Sequence, residues 1–241
     1  VQMIRVKLPF GGVTADQLDA FAEVTERFAP LKKGHITTRE NIQIHHIPLP
    51  LAWEAIRVLG ETGLSSREAC GNTVRNVTGD PWAGVADDEV FDATPYAGAF
   101  IRYFVRNPLT QLLPRKFKVA FSGSDTDRVI ADIHDLGFFS RTRVVNGEEV
   151  RGFRIVTGGG LSIMPKQAFE LYDFVPVNDY LRVSEAVLRI FNRSDELRRN
   201  RSKARIKFLI HRVGIEAFRE MVEEELQGEW AARDYPVDDL L

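Results

Sequence analysis

The chain has 241 residues, of which 44% are hydrophobic and 27% charged, an ordinary globular composition with enough residues for one large core or two smaller ones. Its net charge of −2 argues against a general nucleic-acid-binding protein, because there is no overall positive excess to neutralise phosphates. No apolar run approaches the roughly 20 residues that span a bilayer, and no secretory signal is recognisable, so we expect a cytoplasmic protein with no membrane partner.

The first 64 residues alternate between strand and helix patterns. Thr14 and Gln17 form a capping-box pattern, which predicts a helix that ends near Phe28. The other predicted elements are strands in 2–8 and 35–47 and a second helix in 48–61. This strand–helix–strand–helix order is typical of a small ferredoxin-like α+β unit.

The rest of the chain predicts a mixed α/β region followed by helices. Residues 69–81 are rich in Gly, Asn, Asp and Pro, which favour a loop, and Asn146-Gly147 between alternating segments predicts a hairpin. Further predicted elements are helices 94–106, 127–136, 179–191, 202–212 and 215–227, strands 116–122 and 153–157, and a frayed tail at 234–241. The hydrophobic pattern predicts core positions at Ile42, Ile44, Val119, Phe121, Ile155, Leu188 and Phe208.

Cys70 is the one cysteine of the sequence. This count excludes an internal disulfide, and it excludes a cluster held by several thiolates of this chain alone. A single thiol is compatible with a reducing compartment.

Three side chains that can donate hydrogen bonds lie in the second predicted strand, 35–47. Even spacing along a strand places Arg39, Gln43 and His45 on one face. Such a row suits a ligand rich in carboxylates, and a strand face exposed to solvent explains it equally simply.

A second strand pattern carries cations. Alternation places Lys116 and Lys118 on one face and Arg115 and Phe117 on the other. Two neighbouring ammonium groups repel each other unless an anion lies between them. The alternative is an edge strand that is wet on one side.

Two loops could present a cation or backbone to a ligand. Arg75 lies in the turn-rich segment 70–77, where its guanidinium could pair with two oxygens of a small oxyanion or form a surface ion pair. Gly158, Gly159 and Gly160 permit positive φ and a close approach of the backbone to a ligand, although a tight turn explains them as well. Their spacing fits neither a dinucleotide fingerprint nor a Walker loop.

Five segments, in this order and spacing, resemble the sulfite/nitrite reductase haemoprotein family over nearly the whole chain. They are Arg5-Val6-Lys7-Leu8-Pro9, the run from Thr37 to His45, the run from Ala69 to Val77, Leu113-Pro114-Arg115-Lys116-Phe117-Lys118, and Gly158-Gly159-Gly160-Leu161. The resemblance implies an α+β fold that is one half of a two-fold repeat. The expected units are a ferredoxin-like half-domain at 1–64, a sirohaem- and substrate-binding α/β domain at 65–178, and a helical segment at 179–241 that leads to the second half.

The resemblance also implies a chemistry, the six-electron reduction of sulfite to sulfide or of nitrite to ammonia on sirohaem coupled to a 4Fe–4S cluster. The expected partners are the substrate anion and an electron donor, either ferredoxin or a flavoprotein. The substrate contacts implied on this chain are Arg5, Arg75, Lys116 and Lys118. The implied sirohaem contacts are Arg39, Gln43, His45, Asn72, Arg115 and Gly159.

Lys118 favours sulfite, because the position resembles Lys of sulfite reductases where plant-type nitrite reductases tend to have Asn. The segment 74–84 resembles nitrite-reducing members and points the other way. Asn72 departs from the family, in which Asp is common at this place.

The cluster cysteines of the family belong to the second half, which this sequence lacks. We therefore expect the isolated chain to be inactive and to pair with that half or with itself. Three rival interpretations are a relative such as precorrin-3B synthase, a non-catalytic scaffold that binds a tetrapyrrole or a partner, and a general anion-binding protein. The intact Arg115–Lys118 run argues for the reductase.

Overall fold

The computed structural model describes residues 2–241 and begins with a β-α-β-β-α unit. Its elements are β1 (Met3–Val6), α1 (Ala15–Phe28), β2 (Gly34–Ile36), β3 (Ile42–His45) and α2 (Ala52–Glu61). The strands form an antiparallel sheet in the order β1-β3-β2. Both helices pack on the sheet face that carries Ile4 and Ile44, which leaves Arg5 and Gln43 on the other face. The predicted ferredoxin-like unit is confirmed.

Local sequence signals set the limits of these elements. The hydroxyl of Thr14 accepts from the Gln17 amide at 3.3 Å, and the Gln17 side chain accepts from the Thr14 amide at 3.1 Å. Helix α1 therefore begins and ends as predicted. The predicted strand 35–47 is instead the pair β2 and β3, because the chain turns at Glu40, whose φ is 51°.

A second sheet follows, in the order β4-β5-β6-β7. Its strands are β4 (Val119–Ser122), β5 (Leu136–Val145), β6 (Glu148–Thr157) and β7 (Phe169–Pro176). Strands β4 and β5 are parallel, and the other pairs are antiparallel. The predicted hairpin joins β5 to β6, with positive φ at Asn146 and Gly147. Strand β7 was not predicted.

Helices cover one face of this sheet. They are α3 (Thr94–Phe104), α4 (Tyr180–Arg193), α5 (Asp195–Arg199), α6 (Ile206–Val213), α7 (Ile215–Leu226) and α8 (Val237–Leu240). Residues of α4, α6 and α7 belong to the same hydrophobic cluster as the sheet, where the rings of Phe121 and Phe138 stack at 4.3 Å. Each buried Phe of this core contributes about 1.5–3 kcal/mol. Between residues 2 and 241, no helix has both the length and the apolar character needed to cross a bilayer.

Two predicted segments were wrong. Residues 127–136 form a short 3-10 turn and the start of β5 rather than a helix. The Asp127 carboxylate accepts from the Ala131 amide at 2.6 Å, a local hydrogen bond that competes with helix formation. The tail at 234–241 is packed rather than frayed, since Val237 is 2% exposed and the Leu240 carbonyl accepts from Arg102 Nε at 2.7 Å.

The predicted core positions are largely confirmed. Five of them are completely buried, namely Ile44, Val119, Phe121, Ile155 and Leu188. Ile42 and Phe208 are partly buried and pack against the edges of the cores.

Candidate anion- and cofactor-binding site

Two neighbouring segments place cations on one face of the second sheet. The Arg75 amide donates to the Phe117 carbonyl at 2.8 Å, so the chain at Arg75 runs beside the lead-in to β4. Val74 and Phe117 are buried in the main core. Because side chains alternate along extended backbone, Arg75, Lys116 and Lys118 lie on the opposite face.

A cavity of about 330 Å³ opens at this face. The cations that line it are Arg115, Lys116, Lys118, Arg201, Arg205 and Lys207. Within residues 2–241, the side chains of Arg115, Lys116 and Lys118 form neither a salt bridge nor a hydrogen bond. The alternation that put Arg115 on the far face was wrong, because regular β4 begins only at Val119 and Arg115 lies in a bend. The cavity therefore gathers several cations, of which Arg115, Lys116 and Lys118 have no carboxylate partner among the described residues.

Burial and mutual repulsion weaken the hold of these groups on their protons. Desolvation, then the charges of Arg39 and Arg205, lower the pKa of Lys118 to about 8. Desolvation followed by the charge of Arg75 lowers the pKa of Lys116, and Arg75 itself has a pKa lowered mainly by burial. A bound anion would offset the part of each pKa shift that comes from neighbouring cations. Lowered pKa values in a cluster of cations are what an anion-binding site is expected to show when no anion is bound.

The side chain of Arg75 is held by a backbone carbonyl of its own loop. Arg75 Nε donates to the Gly71 carbonyl at 2.9 Å, which leaves the terminal nitrogens of the guanidinium without a partner in the described part of the chain. Asn72 is exposed, and its amide lies 3.5 Å from the Pro114 carbonyl. The loop therefore presents Arg75 towards the cations while Asn72 makes one long hydrogen bond.

The open face of the first sheet contributes a separate polar row. Arg5 and Gln43 are cross-strand partners, and the Gln43 amide in its favourable orientation accepts from Arg5 Nη2 at 2.9 Å and donates to His45 Nε2 at 2.9 Å. Arg5 also donates to the Ala69 carbonyl at 3.2 Å and lies 3.1 Å from Cys70 Sγ. Arg5 thus links this row to the loop of Arg75, and its charge lowers the pKa of Arg75.

Arg39 lies apart from Gln43 and His45, contrary to the predicted shared face. It is in the turn before β3, and its guanidinium reaches across to the second sheet, where it contacts His134 Nε2 and the Asn76 carbonyl and lies 3.4 Å from the Val119 carbonyl. Burial lowers its pKa to about 10, so it remains charged. In the described structure Arg39 ties the two units together at the base of the cation cluster.

His134 is a neutral acceptor in this tie. Its Nδ1 lies 2.9 Å from the Ile130 carbonyl, which can only accept, so Nδ1 carries the proton and Nε2 accepts from Arg39. Desolvation, reinforced by the charge of Arg39, holds the pKa of His134 well below its usual value. No local pattern indicates this role, because the sequence predicts a helix for the segment that contains His134.

Asp135 and Arg205 form a buried ion pair that the sequence did not identify. Arg205 donates through Nε at 2.8 Å and through Nη2 at 2.7 Å, and the Lys118 amide donates to the same carboxylate at 2.7 Å. Asp135 is completely buried. Arg205 is one of six cations in the basic run 198–207, and its burial on the sheet distinguishes it from the exposed cations of that run.

Each of the three glycines has a packing reason. Gly158 has φ +85°, a Cβ on Gly159 would lie 2.3 Å from the Asp132 carbonyl oxygen, and a Cβ on Gly160 would lie 3.1 Å from Lys207 Cδ. The Gly159 amide already donates to the His134 carbonyl at 2.9 Å. The close approach expected at Gly159 is therefore an approach of backbone to backbone within the protein.

Glu40 gives the junction between the two units a pH dependence. Its carboxylate accepts from the Gly79 amide at 2.9 Å, and burial raises its pKa to about 7. The folded chain therefore binds a proton at Glu40 more tightly than the unfolded chain, so the contribution of Glu40 to stability is present at low pH and is lost as the pH rises through about 7. His134, whose pKa is lowered in the folded chain, acts in the opposite direction, so the contribution of Glu40 is measured as the difference between the wild type and Glu40→Gln in thermal denaturation. We expect the variant to gain stability relative to the wild type between about pH 5.5 and about pH 8. An unchanged pH profile in the variant would contradict this assignment.

The donor set fits a polycarboxylate such as sirohaem and does not fit an iron–sulfur cluster. Guanidinium and ammonium groups without carboxylate partners, gathered around one cavity, are the groups that bind anionic oxygens. Within the part of the chain that is described, no three His, Cys, Asp or Glu residues are grouped so that they could hold a metal ion, and Cys70 is the one thiol.

Comparisons with known proteins identify the family of the chain. The family model described as the nitrite and sulphite reductase 4Fe-4S domain matches residues 70–229, and the nitrite/sulfite reductase ferredoxin-like half domain matches residues 1–59. The chain is 37% identical to sulfite reductase (ferredoxin) 1 of Mycolicibacterium paratuberculosis, covering 92% of this chain and 39% of the relative. It is 35% identical to the chloroplastic ferredoxin–nitrite reductase of Oryza sativa, covering 98% and 40%.

Solved structures give the same result. The NirA protein of Mycobacterium tuberculosis matches with a TM-score of 0.83 and 36% identity, covering 92% of this chain and 40% of that one. Dissimilatory sulfite reductase I matches with a TM-score of 0.74 at 12% identity, over 98% of this chain and 70% of that one, which shows the shared fold. The chain spans about two fifths of the length of the curated relatives named above. It belongs to the nitrite and sulfite reductase family.

Proposed function

We propose that this chain is the substrate-side half of a sirohaem-dependent sulfite or nitrite reductase. The observation that carries the proposal is the cavity whose lining cations Arg115, Lys116 and Lys118 have no partner in residues 2–241. A cluster of like charges costs free energy when it is empty, so its retention is explained by an anion that occupies it.

The cations divide between substrate and cofactor. In this proposal Arg5, Arg75, Lys116 and Lys118 surround the substrate anion. The sirohaem carboxylates are bound by Arg115, with Arg39, Gln43, His45, Asn72 and the backbone at Gly159 setting the edges of the pocket. Arg39 and the Gly159 amide donate to groups of the protein, so in this proposal these two residues support the pocket wall. Arg5 likewise donates to Gln43 and to the Ala69 carbonyl, so it shares its guanidinium between these partners and the anion. When bound, sirohaem would supply the redox-active iron for this chemistry.

The protein's own contribution to the reaction is positive charge and protons. Guanidinium groups at Arg5 and Arg75 hold the oxyanion in place. Lys118, with a pKa of about 8, is the best proton donor of the set near neutral pH, because its acidity is matched to that pH. Protonation of the departing oxygens is what six-electron reduction of either anion requires.

Sulfite is the favoured substrate. Near neutral pH sulfite is a mixture of singly and doubly charged ions and nitrite carries one charge, so a site with a second ammonium at Lys118 stabilises sulfite more. Nitrite remains the alternative, since relatives of both kinds are similar to this chain.

Turnover requires more than this chain. The 4Fe–4S cluster and its cysteine ligands would come from a second half, and ferredoxin or a flavoprotein would deliver the electrons in the reducing cytoplasm. Because no grouping of ligands for a metal exists among the described residues, the isolated chain is a non-catalytic tetrapyrrole-binding scaffold in this proposal.

Anion affinity should depend on pH through Lys118. Its pKa lies near 8, so the charge that attracts the anion is lost as the pH rises past that value. We expect sulfate affinity, measured calorimetrically, to fall about three- to tenfold between about pH 7 and about pH 9.5, and Lys118→Met to flatten the curve. Sulfate is the probe because it does not titrate in this range. A wild-type curve without a pH dependence would contradict the role of Lys118.

The test of the function is direct binding of sirohaem. The purified chain is titrated with sirohaem while the visible absorbance is followed, and the result expected is saturable binding with a shift of the tetrapyrrole bands. Arg115→Met should weaken that binding, whereas Arg57→Met, an exposed change on α2, should not. Binding indistinguishable from that of an unrelated protein would overturn the proposal for this chain.

A further inference from the structure

The loop between β6 and β7 is built around a buried ammonium group. Lys207 is 2% exposed, and its Nζ lies 3.0 Å from the carbonyl oxygens of Leu161 and Ile163, 2.9 Å from that of Met164 and 3.2 Å from that of Gly160. An ammonium group has three protons, so these four acceptors saturate it. Lys207 therefore takes the place that a bound metal cation has in loops made of inward-pointing carbonyls.

The loop needs the ammonium group of Lys207 at its centre, because its backbone is strained. Ser162 and Met164 have φ of 73° and 54°, conformations that non-glycine residues adopt at a cost. A pair of hydrogen bonds between the backbones of Gly160 and Lys166, both 2.9 Å, closes the base of the loop. Between these two ends, contacts to Lys207 are what gather the carbonyls together.

The same loop forms one side of the cationic cavity. Leu161 and Ile163 line the cavity while remaining 54% and 59% exposed. The other lining residues are mainly cations and include Lys116 and Lys118. The cavity therefore combines apolar surface with positive charge, an arrangement that matches a flat apolar body with carboxylates at its rim better than a small inorganic anion.

We propose that Lys207 is a positioning residue: its ammonium is an internal cation that fixes the loop 160–166, so that Leu161 and Ile163 form the apolar wall on which a polycarboxylate tetrapyrrole lies. This inference rests on the proposed function for the identity of the ligand, but not for the role of Lys207 in the loop. Gly160 belongs to the same arrangement, because a Cβ atom at this position would lie 3.1 Å from Cδ of Lys207.

The variant Lys207→Met removes the ammonium and keeps an unbranched stem. We expect hydrogen exchange of the two hydrogen-bonded amides of the loop, those of Gly160 and Lys166, to become at least about tenfold faster, while the protection of β5 and α4 is unchanged. Lys203→Met is the matched control, since Lys203 is an exposed lysine close by in the chain that lies outside the cavity lining. Unchanged exchange in the loop of folded Lys207→Met would overturn the positioning role. Global unfolding of that variant, seen by circular dichroism, would overturn it too, because Lys207 would then hold the whole domain.

Ligand binding tests the apolar wall separately, with uroporphyrin and sulfate as probes. Both Lys207→Met and Ile163→Ser should weaken uroporphyrin binding about tenfold and leave sulfate binding within about threefold of wild type. Equal losses of affinity for the two probes, or no loss for uroporphyrin, would overturn the proposal that Leu161 and Ile163 form an apolar wall. Failure of the wild-type chain to bind uroporphyrin would count against the wall and the proposed tetrapyrrole site together, whereas the exchange experiment would still decide the role of Lys207 in the loop.

Discussion

Replacement of Asp135 by asparagine is expected to destabilise the chain by about 3 kcal/mol or more. Asp135 is completely buried, and it accepts two hydrogen bonds from Arg205 and one from the Lys118 amide. An asparagine has one acceptor oxygen, so its amide protons would face the donors of Arg205 or Lys118. The guanidinium would be left buried among other cations without a counter-charge. Urea denaturation followed by circular dichroism measures the loss.

Asp173→Asn is the control for this experiment. Asp173 pairs with Arg143 on the surface, and its side chain is 65% exposed, so the same chemical change should cost less than about 1 kcal/mol. Equal effects at the two positions would show that burial of the Asp135 pair does not matter for stability. A second readout is sulfate affinity, which should fall in Asp135→Asn only to the extent that Arg205 and Lys118 move.

Removal of both lysines at the cavity is expected to produce the largest loss of anion binding. The double variant Lys116→Met/Lys118→Met deletes two ammonium groups that have no partner in residues 2–241. With about 1–1.5 kcal/mol lost for each half-exposed charge, sulfate affinity should fall about 30- to 150-fold. The dissociation constant is measured by isothermal titration calorimetry at constant ionic strength.

The same double variant should be at least as stable as the wild type. Burial and neighbouring cations lower the pKa of both lysines, so each is charged at the expense of folding free energy. A loss of binding together with unchanged or higher stability is the expected mark of residues retained for function. Lys33→Met/Arg57→Met changes the net charge equally at exposed positions of the first unit and should alter neither property. A parallel loss of stability and binding in the lysine variant would contradict the assignment.

The sequence by itself determined the elements whose signals are local. The capping box at Thr14 fixed the start of α1, and Asn146-Gly147 fixed the β5–β6 hairpin, because each depends on hydrogen bonds or φ values within a few residues. The order of the cationic motifs also identified the family, and the family models confirm it. The family resemblance implies Arg5, Arg75, Lys116 and Lys118 as substrate contacts, and these assignments stay predictions until binding is measured.

Only the tertiary structure decided which charges are free and which are used. Arg39 and Arg205 look like any other arginine in the sequence, yet one ties two units through His134 and the other neutralises Asp135, because distant segments meet at these points. Lys207 stood in a basic run typical of a solvated helix and is instead buried under four carbonyls. Whether a cation is paired depends on neighbours that are 40 or more positions away, as Lys207 is from Met164. Such contacts leave no periodic signal in the chain, which is why the cations of the site could be found from the sequence but not sorted into those that support the pocket and those that remain free for a ligand.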